Sequence, residues 1–238
     1  MKFQLYITAF VLLLTLPMQA GADVVIDRFD VGNSGSVPRT FRPVNTYSVF
    51  TSTDSAILGG VRKWQVEVTK HSVGETTIYD IASGDSGAFE GFEVENSFDQ
   101  NSITTIRWDG TDNDLLSGKF SRPLGGKHVD LTDGGTNSMF QLDTSWADVS
   151  NEFTVVVSDV HGSFEVTKTG TSTQQNEFLF SEFAGIDFTN VIWLELVISG
   201  ADGADVGLNR FAAVAIPEPV STAICGTALI IICTRRRR

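Results

Sequence analysis

The sequence predicts an all-β protein: an antiparallel β-sandwich of the jelly-roll kind, flanked by an N-terminal signal peptide and a C-terminal transmembrane helix. Three observations carry this. Apolar residues recur with a period of two in run after run, and no stretch shows the 3.6-residue period of an amphipathic helix. Clusters of Gly, Asn, Asp and Ser separate the runs. The two long apolar segments without alternation lie at the extreme ends of the 238-residue chain.

From Val61 to Thr69, Trp64, Val66 and Val68 share one side, and Lys63, Gln65, Glu67 and Thr69 the other. That is a half-buried strand. Phe92 and Val94 alternate with Glu93 and Glu95; Thr104, Ile106 and Trp108 share a parity. Phe140 and Leu142, then Phe153, Val155 and Val157, continue the series. The clearest strand is Val191 to Ile198, with Ile192, Leu194, Leu196 and Ile198 on one apolar face. Turn clusters at Gly32-Asn33-Ser34-Gly35, Gly84-Asp85-Ser86-Gly87, Asp133-Gly134-Gly135 and Ser199 to Gly203 fall between them. About ten short strands with turns at this spacing predict a sandwich in one domain.

At the N-terminus, Lys2, the apolar run Leu5 to Leu16 and the small-residue pattern Ala20-Gly21-Ala22 describe a secretory signal peptide over residues 1–22. Residues 23–215 form the predicted sandwich domain. At the other end, Ile216-Pro217-Glu218-Pro219 precedes an apolar run to Thr234 and four arginines, Arg235 to Arg238. The prolines break any preceding strand, and the arginines stop translocation on the cytoplasmic side. The 15 residues from Val220 to Thr234 are short for a membrane helix, which snorkelling and interfacial residues can extend.

This tail, residues 216–238, resembles the PEP-CTERM sorting signal: a Pro-Glu-Pro motif, a short membrane helix and a terminal basic cluster. The resemblance implies that Pro217, Glu218 and Pro219 are the recognition motif and Arg235, Arg236, Arg237 and Arg238 the stop signal. It also implies processing by an exosortase, a membrane cysteine protease of bacteria that make extracellular polysaccharide. Signal peptidase and exosortase are then the partners in export. The protein is expected at the membrane through its C-terminal helix, and then on the cell surface or in the extracellular matrix.

Cys225 and Cys233 both lie in this tail, ~12 Å apart along a helix and beyond disulfide reach. The body therefore has no cysteine, no thiol nucleophile and no cysteine-based zinc site. Without the ends it holds 12 basic and 28 acidic residues, a net charge of −16. Such a balance excludes nucleic-acid binding, which needs a basic face, and favours calcium or neutral glycan.

Gly84-Asp85-Ser86-Gly87 copies the tetrapeptide around a trypsin-like nucleophile, but only His71 precedes it and no triad context accompanies it. A turn explains it. His71, His128 and His161 show no paired metal-ligand spacing. Asp109, Asp112 and Asp114 crowd one loop, and Asp202 and Asp205 another, as candidate calcium ligands; Asp27 or Asp30 could join Asp205 if the first and last strands adjoin. Glu93 and Glu95, about 7 Å apart on one strand face, have the separation of an inverting carboxylate pair, although alternating outer-face glutamates are common. Trp146 stands among polar residues and Trp193 shares a face with Glu195, so both are candidate glycan contacts.

The segments "VIDRFD", "ILGGVRKWQVEV", "IRWDG", "FTVVVSD" and "DVGLNRF" give the body a looser similarity to exported galactose-binding-like jelly-roll domains. That resemblance implies a fold and no activity. The sequence thus reads as an exported non-catalytic surface or matrix protein that binds glycan of the extracellular polysaccharide. A matrix-polysaccharide hydrolase is the alternative, disfavoured because no acid and base are paired in one cleft-like context.

Overall fold

The computed structural model describes residues 22–30, 39–41, 49–70, 74–81, 91–110, 128–170 and 175–216. The segments expected to be a signal peptide and a sorting tail lie outside the described residues, apart from Ala22 and Ile216 at their inner ends. Among those described, no helix is long and apolar enough to cross a membrane.

The described chain is all-β, with two antiparallel sheets. Its strands in chain order are β1 (Val24–Asp27), β2 (Arg39–Phe41), β3 (Val49–Thr53), β4 (Val61–Lys70), β5 (Thr76–Ile81), β6 (Gly91–Asn96) and β7 (Asn101–Trp108). β8 (Met139–Ala147), β9 (Asn151–Ser158), β10 (Ser163–Gly170), β11 (Gln175–Leu179), β12 (Trp193–Gly200) and β13 (Val206–Val214) follow. The first sheet runs β11-β8-β13-β6-β5-β2, with β1 also on β13; the second runs β10-β9-β12-β7-β4-β3.

The alternation read from the sequence sets the inner faces. Trp64, Val66 and Val68 of β4, Ile106 and Trp108 of β7, Phe153, Val155 and Val157 of β9, and Leu194, Leu196 and Ile198 of β12 all point inward and are buried. They meet Phe92 and Val94 of β6, Phe140 and Leu142 of β8, and Leu208 and Phe211 of β13 in one hydrophobic cluster. Rings from the two sheets touch across it, with Trp64 and Phe92 centroids 5.6 Å apart and Trp108 and Phe211 5.4 Å apart. A buried side chain of this size contributes about 1.5–3 kcal/mol, and edge-to-face pairing adds roughly 0.5–1.5 kcal/mol.

One polar group crosses this core. Asp27, at the end of β1, is 1% exposed, and Arg62 of β4 is fully buried. Arg62 donates to both carboxylate oxygens at 2.8 and 2.9 Å, Trp108 Nε1 donates at 2.9 Å, and the Phe29 backbone N–H donates at 2.8 Å. The guanidinium lies 5.3 Å from the Phe29 ring centroid and 5.9 Å from that of Phe92. The clamp therefore ties the first strand of one sheet to the other sheet.

β13 organises the site. Its first residues, Val206 to Leu208, pair with Val94 to Phe92 of β6, and its later ones, Phe211 to Ala213, pair with β1. Because Val24 stands opposite Ala213, the chain enters β1 and leaves β13 at the same pole. Asn137 Nδ2 donates to the Ala22 carbonyl at 3.1 Å there, and the Ile216 N–H reaches Ser138 Oγ at 3.4 Å. The other end of β13 lies about 27 Å away at ~3.4 Å per residue.

A candidate binding face on the first sheet

On the outer face of the first sheet, at the pole far from the chain ends, the register brings four strands into two rows. Trp146 of β8 stands opposite Gly207 of β13, Gly207 opposite Glu93 of β6, and Glu93 opposite Tyr79 of β5. Two residues further along, Asp148, Asp205 and Glu95 follow Trp146, Gly207 and Glu93 on the same side.

Gly207 makes the first row possible. A Cβ there would sit 2.3 Å from Ser145 Oγ and 2.7 Å from Trp146 Nε1, so the indole and hydroxyl occupy the space a side chain would take. A register shift between Gly207 and Leu208 leaves Ser145 without an opposite partner and turns it to the same face as Trp146.

The second row is tied together by backbone amides. The Asn96 N–H donates to Asp205 Oδ1 at 2.6 Å, and the Asp205 N–H donates to Asp148 Oδ1 at 2.8 Å. Burial, with the nearby Asp148 and Glu95 charges, pushes the Asp205 carboxyl up to about 6 despite the Asn96 hydrogen bond. Glu93 is only 4% exposed, and its Oε1 has no hydrogen-bond donor among the described residues. Burial first, and then the Glu95 and Asp205 charges, push Glu93 up to about 7.

The candidate residues from the sequence fall in different places. Asp109 is buried and ion-paired with Lys63 at 2.8 Å. Asp112 and Asp114 lie outside the described residues, as do Gly84 to Gly87 and His71. Asp202 is exposed on the turn before Asp205. The expectation that Asp27 could join Asp205 is corrected: Asp27 faces Arg62 and Trp108 inside the core, and β1 pairs with the other half of β13. No three described His, Cys, Asp or Glu side chains converge closely enough to hold a metal ion.

The two candidate tryptophans lie on opposite outer faces. Trp193 is on the second sheet with Glu195, as the alternation requires, and Arg107 lies 6.0 Å from its ring centroid. Arg107 Nε also donates to Glu195 Oε2 at 2.8 Å, so that ring already has a cation over it. One ligand cannot touch both indoles across the sandwich.

Two features escape sequence reading. Glu93 alternates as an outer-face residue, yet neighbouring strands bury it beside two other carboxylates. This is the grouping of a raised carboxyl with further carboxylates that the sequence did not disclose. Phe98 has the parity of core residues Phe92 and Val94, but the turn after β6, with Asp99 at φ 66°, leaves it 93% exposed. Its Cα adjoins Gly203, beside the acidic row.

No protein-family model matches the chain, and no curated protein matches it in sequence. Among solved structures, it is similar to a family 30 carbohydrate-binding module of the cellulosomal cellulase Cel9D-Cel44B of Clostridium thermocellum. That likeness has 11% identity over 83% of this chain and 99% of the other, with a TM-score of 0.38. TmCBM61 in complex with β-1,4-galactotriose matches at 13% identity over 81% of this chain and 99% of the other, with a TM-score of 0.33. The enzymatically active domain of bacteriophage CBA120 tailspike protein 4 matches at 12% identity over 63% of this chain, which spans only 19% of it, with a TM-score of 0.32. At these scores none of the likenesses says what this chain binds.

Proposed function

We propose that this is an exported, non-catalytic surface or matrix protein with a jelly-roll body, sorted through its tail by an exosortase, that binds glycan on the outer face of the first sheet. The observation that carries the binding is Trp146 laid over Gly207, with Ser145 and the Glu93 and Glu95 carboxyls alongside. Sugar C–H faces stack on an indole while flanking polar groups take the hydroxyls, and Gly207 keeps the approach low. Ile216, where the expected tail begins, lies at the opposite pole from this face.

Isothermal titration of the full-length protein with neutral hexasaccharides, such as cellohexaose and galactan-derived hexamers, tests the reading. Trp146→Ala should abolish binding, whereas Trp193→Ala should leave it unchanged. Equal loss in both variants, or no binding by the unaltered chain, overturns it. Sorting is tested separately by replacing Pro217 and Pro219 with Ala in the bacterial host, where an unchanged mature mass would refute processing at the Pro-Glu-Pro motif.

A second reading, a sugar hydrolase, draws on the raised carboxyl of Glu93 beside Glu95. Loss of a measured hydrolysis in Glu93→Gln with an unchanged Tm would favour it.

A further inference from the structure

Resting on the glycan reading of this face, we infer that its preferred ligand is a cationic amino sugar, an oligosaccharide with free ammonium groups such as a de-N-acetylated hexosamine chain. Four carboxyl groups, Glu93, Glu95, Asp148 and Asp205, line the face beside Trp146, and their neighbouring strand positions place them within reach of one another's charge. Arg210, the nearest cation along β13, is engaged elsewhere with Asp23 and Asp143.

Glu93 supplies the second observation. A buried carboxyl oxygen without a donor is an unmet demand for a hydrogen-bond donor, and among like charges that demand is best met by a cation. A neutral hydroxyl would give the hydrogen bond without relieving the repulsion, whereas an ammonium does both. A metal ion would need a tighter convergence of ligands than the described side chains provide. A uronic-acid polymer would add charge of the wrong sign to a body already at −16. The raised carboxyls of Glu93 and Asp205 agree with a face whose charges are incompletely balanced in the free protein.

The test titrates the full-length protein at pH 7 with glucosamine hexamer, its fully N-acetylated counterpart, cellohexaose and hexagalacturonate. The glucosamine hexamer should bind at least ~10-fold more tightly than the N-acetylated one, the scale of one charge-assisted hydrogen bond. Glu93→Gln should reduce that preference to within about threefold. Asp205→Asn provides the same readout if the first variant loses its fold, as judged by its melting curve. Equal affinity for both hexamers overturns the amino-sugar inference while leaving glycan binding in place. Binding of none of the sugars overturns the glycan reading itself. Amine-dependent binding that survives Trp146→Ala would mark charge adsorption elsewhere on the acidic body and overturn the assignment to this face.

Discussion

Replacing Asp27 by Asn keeps the shape of the side chain and removes the charge that Arg62 needs. Arg62 is fully buried, and its guanidinium meets that carboxylate in two hydrogen bonds between the Phe29 and Phe92 rings. Taking away one partner of a buried ion pair leaves an uncompensated charge, which costs about 3–5 kcal/mol. For a domain of this size, each kcal/mol lowers Tm by roughly 2–4 °C, so a fall of about 6–20 °C is expected. The Phe29 amide donates to Oδ1 and the Trp108 indole to Oδ2, and an asparagine has a single oxygen, so one of these donors would face an amide NH2 instead, which places the effect toward the upper part of that range. Thermal and urea unfolding, followed by circular dichroism, give the measurement. The double variant Asp27→Leu with Arg62→Met should recover most of the loss, because removing both charges also removes their desolvation cost. A loss below ~1 kcal/mol in Asp27→Asn, or a double variant no better than the single one, would refute this account of how β1 is held.

Other consequences of the structure can be measured directly. Glu93 binds its proton more tightly folded, at about 7, than its ordinary 4.5, so its contribution to stability is greatest below pH 4.5 and is lost as pH rises towards 7. Glu93→Gln should therefore raise Tm by several degrees at pH 8 and not at pH 4; an equal change at both pH values would refute the burial of this carboxyl. Gly207→Ala would force a methyl group against Ser145 and Trp146, so glycan binding should fall sharply while far-ultraviolet dichroism keeps its β signature. Phe140 packs on Phe180, Phe183, Phe188 and Phe211 with ring centroids 4.9–5.8 Å away, so Phe140→Ala should cost about 3–5 kcal/mol in denaturant unfolding.

The strands that the sequence disclosed are those whose alternation survives intact. β9 and β12 each carry an uninterrupted apolar inner face, and β4 carries one from Trp64 to Val68. β13 is different: register shifts between Gly207 and Leu208, and between Leu208 and Arg210, break its period. Its last turn of pairing is buried on both faces, since Ala212 and Val214 pack with Met139 on the outside of the sheet. β10 escaped for the opposite reason. It is an exposed edge strand with little apolar surface to mark it.

The candidate site divides along the same line. Trp146 and Trp193 could be singled out by their polar neighbours, and alternation placed Trp193 outward beside Glu195. What each indole packs against depends on what the adjacent strand presents: Arg107 beside Trp193, Gly207 beneath Trp146. Asp27 and Arg62 are 35 residues apart, and the proximity of a carboxylate to an arginine at that distance is a property of strand order.

By itself, the sequence determined that the described chain would be β, which residues of its regular strands face inward, and that its body carries a strong negative charge without cysteine. Those properties follow from side-chain chemistry and a local period of two. Tertiary structure alone decided that Glu93, Glu95, Asp148 and Asp205 share one face with Trp146, that Phe98 leaves the core parity, and that Asp27 belongs to Arg62 rather than to Asp205. Such groupings depend on pairing partners far apart in the chain and on bulges that reset register, and neither leaves a mark on the local alternation.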